Sequence, residues 1–360
     1  MDRRKFLKTA GVGAVAATTL ATPAIAQGKR QLKMVTSWPK NFPGLGTAAA
    51  RIAKRIEAAT DGRISIRIYA GGELVHPLKT LDAVQEGTAD LYHSAEYYFQ
   101  GKDKGFAFFA AVPFGFTATE MNAWLYQGGG QKLWDELAAG FGVKPLPGGN
   151  SGVQMGGWFR KPVESINDFK GLKMRMPGLG GAVLNAVGAT ALTLAGAEIM
   201  PALQSGNIDA TEWVGPWNDL AFGFYKVTKH YYYPGFHEPG TMLSFGVSKK
   251  LWDSLSAADR AIFENAAQAE NSYDLAEFNA NNGAALRTLV EKHGVQLHQF
   301  SDDIFKAFGE ASKDVLADAS KSSEMAKKVY ESFMDFRKKV MGWTEISDVA
   351  YATKRKLAGW

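Results

Sequence analysis

Residues 143–159, VKPLPGGNSGVQMGGWF, restrict the fold more than any other stretch of the chain. They read as extended, yet they hold too many glycines for a plain core strand. Glycine inside a strand marks a bend or the close approach of another backbone. A strand that leaves one sheet and crosses to a second meets both needs. Residues 242–248, MLSFGVS, read as a second extended crossing. A chain that passes twice between two lobes closes by hinge bending, with its ligand at the interface.

Around these crossings the chain alternates strand and helix. Residues 33–38 read as a strand, 47–60 carry a helical period whose wet face is Arg51, Lys54, Arg55 and Glu57, and Ile64, Ile66 and Ile68 alternate as a second strand. A helix over 77–86 and a strand over 89–94 follow. That β-α-β-α-β order implies a parallel sheet covered by helices. Residues 106–116 read as an apolar loop, and 119–139 as a helix broken at Gly128, Gly129 and Gly130. A second block follows the same rhythm: strands over 172–176, 192–194 and 208–213, with helices over 179–187 and 198–205 between them. One long helix is expected over 257–292, a strand over 295–300, two helices over 302–340, and a mixed helix-like tail to residue 360.

The first 26 residues stand apart. Arg3-Arg4-Lys5-Phe6-Leu7-Lys8 forms a twin-arginine export signal, followed by a small-residue apolar run and by Ala24-Ile25-Ala26, an A-x-A cleavage pattern. Cleavage after Ala26 and a periplasmic location are therefore expected. The formal charge of +5 falls to +2 once the leader's four basic residues and Asp2 are removed, so the basic balance belongs largely to the leader. No basic block with interleaved aromatics remains to suggest nucleic acid. The absence of cysteine excludes disulfides, thiolate metal sites and cysteine nucleophiles. No H-E-x-x-H, no G-x-S-x-G and no G-x-G-x-x-G is present, and His237 beside Glu238 reads as structural.

Binding chemistry is better represented. In 171–178, GLKMRMPG, Leu172, Met174 and Met176 alternate with Lys173 and Arg175 before proline and glycine stop the strand. Arg175 then sits at a strand's carboxyl end, where open α/β sheets leave a crevice. Alone it would pass for an ordinary surface arginine. A guanidinium in a cleft, however, grips a carboxylate through two parallel hydrogen bonds. Glu212 and Glu238 also flank strand ends, and Gln154 lies on a crossing. Two carboxylates beside an arginine would repel an anionic ligand, unless a cation with a taste for oxygen donors joins them.

The leader, the 171–178 motif, Glu212-Trp213 and Ser248-Lys249-Lys250-Leu251-Trp252 together resemble the solute-binding proteins of TRAP transporters, over essentially the whole mature chain. The likeness is to the branch that binds 2-oxo or 2-hydroxy monocarboxylates with a metal ion. It implies a type II periplasmic binding protein: two α/β lobes joined by crossing strands around a central cleft, plus C-terminal helices. Residues 27–150 would open the first lobe, 151–218 the second, 219–246 would return to the first, and 247–320 to the second with the long connecting helix. Residues 321–360 would form C-terminal helices.

Arg175 would hold the substrate carboxylate. Gln154, Glu212, the Trp213 carbonyl and Glu238 would hold Na+ or Ca2+, with Asn150, Tyr97, Tyr98 and Trp217 lining the rest. The resemblance also implies delivery of the anion to a TRAP membrane permease, a homodimer formed by exchange of a C-terminal helix, and no enzymatic step. An exported metal-dependent enzyme acting on 2-oxo or 2-hydroxy acids, and a binding protein for an ABC importer, are the alternatives.

Overall fold

A computed structural model describes residues 28–359; the expected leader lies outside the described residues. The chain begins with β1 (Arg30–Thr36), α1 (Leu45–Ala59), β2 (Ile64–Tyr69), α2 (Thr80–Gln85) and β3 (Leu91–Ser94). The three strands pair in parallel in the order β2-β1-β3, as alternation and helical cover require. The helices α3 (Ala118–Gln127) and α4 (Gly130–Ala139) meet at the expected glycine break. Residues 106–116, expected to be an apolar loop, begin instead with a 3-10 turn (Lys104–Phe109). There Phe106, Phe108 and Phe109 are fully buried, and Phe109 is stacked between Trp124 and Trp134. Rings carried on so tight a turn leave no helical period to read.

β4 (Val143–Asn150) and β5 (Gly157–Phe159) are the two halves of the glycine-rich stretch, and they lie in different sheets. The second block runs β6 (Lys173–Arg175), α5 (Gly178–Ala186), β7 (Thr190–Leu192), α6 (Gly196–Ser205), β8 (Ala210–Thr211) and α7 (Pro216–Phe222). Next come β9 (His230–Tyr233), β10 (Met242–Ser248), α8 (Lys249–Ser254), α9 (Ala257–Arg287), β11 (Gln296–Gln299), α10 (Asp302–Ser320) and α11 (Glu324–Thr344), with α12 (Ala350–Lys354) near the end. The first sheet has the order β2-β1-β3-β10-β4, the second β11-β9-β5-β8-β6-β7. Among the described residues no helix is long and apolar enough to cross a membrane.

Two expected boundaries need correction. Residues 219–246 do not return to the first lobe as a unit, because β9 pairs with β5 and β11 in the second sheet and only β10 enters the first. Residues 247–320 likewise divide. Leu251 and Phe263, from α8 and α9, pack with Leu32, Ile52 and Phe245 of the first lobe. Phe300, Ile304 and Phe308 join Phe159 and Met174 in the second. Among the described residues the chain therefore passes between lobes four times, at 151–156, at 234–241, through the end of α9, and between α10 and α11, since Phe333 of α11 packs back on Phe108, Phe116 and Trp124.

The first two passages form one ribbon. Ser151 N–H donates to the Thr241 carbonyl (3.1 Å), Gln154 N–H to the Glu238 carbonyl (3.1 Å) and Gly235 N–H to the Gln154 carbonyl (3.0 Å). A Cβ at Gly235 would lie 2.7 Å from the Gln154 oxygen, so only glycine permits this approach.

Glu96 opens the turn (Glu96–Phe99) that carries Tyr97 and Tyr98, and it is fully buried with Tyr92 Oη donating to it at 2.7 Å. Burial pushes its carboxyl up to about 7. Between the unfolded and folded values the native state holds a proton that the unfolded chain has released, so stability falls as pH rises through that window. Glu96→Gln abolishes this fall. Urea unfolding at pH 5 and pH 8 should show the variant gaining on the wild type by on the order of 3 kcal/mol at the higher pH.

Candidate functional site

Arg175 ends β6 and is buried, with 1 % of its surface exposed. Proline cannot continue the ladder, so the strand stops here and leaves the guanidinium facing the interlobe space. Nη1 is ion-paired with Glu212 Oε1 and also donates to the Glu212 carbonyl at 3.2 Å. Nε donates to the Leu194 carbonyl (3.3 Å) and Nη2 to Tyr98 Oη (3.3 Å). The guanidinium carbon lies 5.0 Å from the centre of the Trp213 ring, within cation–π range. Burial works to lower its pKa, but the Glu212 charge and the neighbouring tyrosines outweigh it, so the group is held charged more firmly than usual.

Glu212 follows β8 and is almost wholly buried. Its Oε2 accepts no hydrogen bond and lies 3.5 Å from His237 Nε2. Glu238, on the second passage, accepts at Oε2 from Gln154 Nε2 (2.8 Å) and Thr241 Oγ1 (2.6 Å). Burial, reinforced by the Glu212 charge, pushes its carboxyl up to about 7. Gln154 Nε2, on the first passage, also lies 3.0 Å from Ser151 Oγ and 3.1 Å from Thr241 Oγ1, while its Oε1 accepts nothing. Donor atoms of Glu212, His237 and Glu238 all lie within 4.8 Å of one another.

Buried oxygens without hydrogen bonds, two clustered carboxylates and a single arginine make a donor set short of positive charge. Gln154, Glu212 and Glu238 fit a hard cation, which takes carboxylate and amide oxygens. His237 was expected to be structural, yet it is buried in this cluster with both ring nitrogens unbonded. Its neighbour Glu238 was the signal that could have marked it.

The space beside these groups is narrow, about 10 Å³, and is walled by Trp38, Leu45, Tyr97, Tyr98, Gln154 and Trp213 among others. Both tyrosines reach it, edge to face with ring centres 4.8 Å apart. Trp38, which sequence reasoning left out, lies two residues beyond the end of β1. Its indole N–H donates to His93 Nδ1 at 2.7 Å, and the His93 ring meets the Gly148 carbonyl at 3.1 Å.

Asn150 is fully buried but serves the ribbon. Its Oδ1 accepts from Gly152 N–H (2.8 Å) and its amide donates to the Gly240 carbonyl (3.4 Å). Trp217 is not among those cavity walls: it packs against Phe278 of α9, ring centres 5.4 Å apart, and its backbone N–H donates to Asn282.

Residues 34–323 match the family described as bacterial extracellular solute-binding protein, family 7. The monocarboxylate 2-oxoacid-binding periplasmic protein of Nostoc sp. is 40 % identical over 98 % of both chains. A TRAP periplasmic solute binding protein from Pseudoalteromonas atlantica, solved with bound sodium and pyruvate, is 38 % identical. The likeness covers 90 % of this chain and 99 % of that one, with a TM-score of 0.87. A TRAP transporter solute binding protein from Bordetella bronchiseptica, solved as a mixed-occupancy dimer with calcium and picolinate, is 34 % identical over 92 % of this chain and 98 % of that one, with a TM-score of 0.90.

Breaking a buried ion pair leaves one charge uncompensated, whereas removing both charges does not. Arg175→Met is expected to cost ~3–5 kcal/mol of stability, and the double variant Arg175→Met/Glu212→Gln less than that single change. Urea unfolding of the two proteins measures the difference.

Proposed function

This chain belongs to the bacterial extracellular solute-binding proteins of family 7, and from that premise we propose that it captures a small 2-oxo or 2-hydroxy monocarboxylate together with Na+ or Ca2+ and hands the anion to a TRAP membrane permease. The observation that carries the reading is the one arginine that is buried among the described residues, set against two buried carboxylates, Glu212 at the end of β8 and Glu238 on the ribbon between the lobes. Arg175, already fixed by Glu212 on one side, would hold the ligand's carboxylate, with Tyr97, Tyr98 and Trp38 excluding water. Gln154, Glu212, Glu238 and the Trp213 carbonyl would hold the cation, which supplies the positive charge that the donor set lacks. Asn150 would keep the two passages in register and Trp217 would support the wall from behind. Capture then needs no covalent step, only tighter binding by the closed state than by the open one.

A receptor of this family works in the periplasm, and export through the Arg3-Arg4 leader with cleavage after Ala26 is the route we infer. The tail suggests the assembly. Trp343, Ile346, Tyr351 and Leu357 are each about 67–79 % exposed, an apolar series that a solitary soluble chain has no reason to keep wet. Exchange of this tail between two copies covers it.

Calorimetry with pyruvate tests the site. Affinity should fall by ~10–100-fold when both Na+ and Ca2+ are withheld, and by a similar factor in Glu212→Ala; binding indifferent to both changes removes the cation from the scheme. Deleting residues 340–360 should convert the dimer to monomers in sedimentation velocity. A dimer that survives the deletion refutes helix exchange.

A further inference from the structure

Phe42 belongs to the first lobe by its backbone and to the second by its ring. Its carbonyl accepts from Gly46 N–H (2.9 Å) and Thr47 N–H (3.1 Å) at the start of α1, and its own N–H donates to the Pro39 carbonyl (3.1 Å). That anchors the residue to the body that carries β1 and α1. The side chain is 8 % exposed. Its ring centre lies 4.5 Å from Phe222 and 6.2 Å from Trp213, perpendicular to the latter at 87°. Phe222 in turn meets Trp213 edge to face at 5.0 Å.

Next door, Asn218 Nδ2 donates to the Pro43 carbonyl at 3.1 Å, and Trp38 meets Trp213 at 6.3 Å. Trp213 has little freedom of its own, since a Cβ on Gly196 would lie 2.8 Å from its ring. The same indole lies against the Arg175 guanidinium.

We propose that Phe42 is a positioning residue that couples lobe closure to the anion site. Docking of its ring against Phe222 and Trp213 fixes the indole against Arg175, and a bound anion leaves only when that ring undocks. The inference rests on the reading that the cleft takes a carboxylate, but the clasp itself joins the two lobes with or without a ligand. Because these rings belong to different lobes, opening separates them, and their loss is expected to speed opening more than it slows encounter.

The chain has no cysteine, so Glu57→Cys on α1 and Ala186→Cys at the end of α5 give a single labelled pair that reports lobe separation in the full chain. In Phe42→Ala the closed fraction of the ligand-free protein should fall roughly fivefold or more. With pyruvate and Ca2+ the release rate should rise roughly tenfold or more, association staying within about threefold. Phe42→Leu should restore most of both, and the melting temperature without ligand should stay near that of the wild type.

An unchanged closed fraction together with an unchanged release rate overturns the proposal. So does a loss of affinity that lies in association alone, or a fall in melting temperature equal with and without ligand. If the wild type binds no pyruvate with either ion, the proposed ligand class fails, while the label distances still decide the clasp.

Discussion

The buried pair of Arg175 and Glu212 is the interaction on which the rest of the site depends. Taking two charges out of water costs several kcal/mol each, and their attraction repays it only where further hydrogen bonds complete both groups. Here the arginine bonds Glu212 Oε1, two backbone carbonyls and Tyr98, four of its five N–H donors, whereas Glu212 Oε2 accepts no hydrogen bond. A pair kept solely for stability would have little reason to leave Oε2 unbonded beside a second carboxylate. That imbalance is what a cation corrects. The arginine is preorganised at the same time, because Glu212 and the Leu194 carbonyl hold the guanidinium before any ligand arrives.

The ribbon of the two passages explains why closure and binding share atoms. Gln154 and Glu238 sit where the strands leave one sheet for the other, and they bond each other both through the backbone and through side chains. A rotation of the lobes about this ribbon moves Trp38, Tyr97 and Tyr98 with the first lobe, and Arg175 and Trp213 with the second. Gln154 and Glu238 stay near the pivot, while Glu212 moves with the second lobe. Such a rotation would also part the rings of Phe42 and Phe222, which meet across the lobes.

Much of this was legible in the sequence, for local reasons. Alternation at Ile64, Ile66 and Ile68 and at Leu172, Met174 and Met176 marks strands whatever surrounds them, and proline and glycine after Arg175 put it at a strand end. Where the reading failed, the cause was non-local. Residues 230–233 alternate too weakly to announce a strand, and their lobe depends on pairing with β5 rather than on their own pattern. Trp217 follows a site residue in sequence, yet α7 turns it onto α9. His237 carries no metal-ligand spacing, and only the fold sets it against Glu212.

The sequence by itself determined the classes of element, the glycine-rich crossings and a surplus of acid around one arginine, because period, turn chemistry and charge are properties of short segments. Only the tertiary structure decided which sheet each strand joins, that Gln154, Arg175, Glu212, His237 and Glu238 converge, and that Phe42 reaches across the cleft. Those outcomes depend on hydrogen-bonded pairing and packing between residues far apart in the chain, which no local pattern encodes.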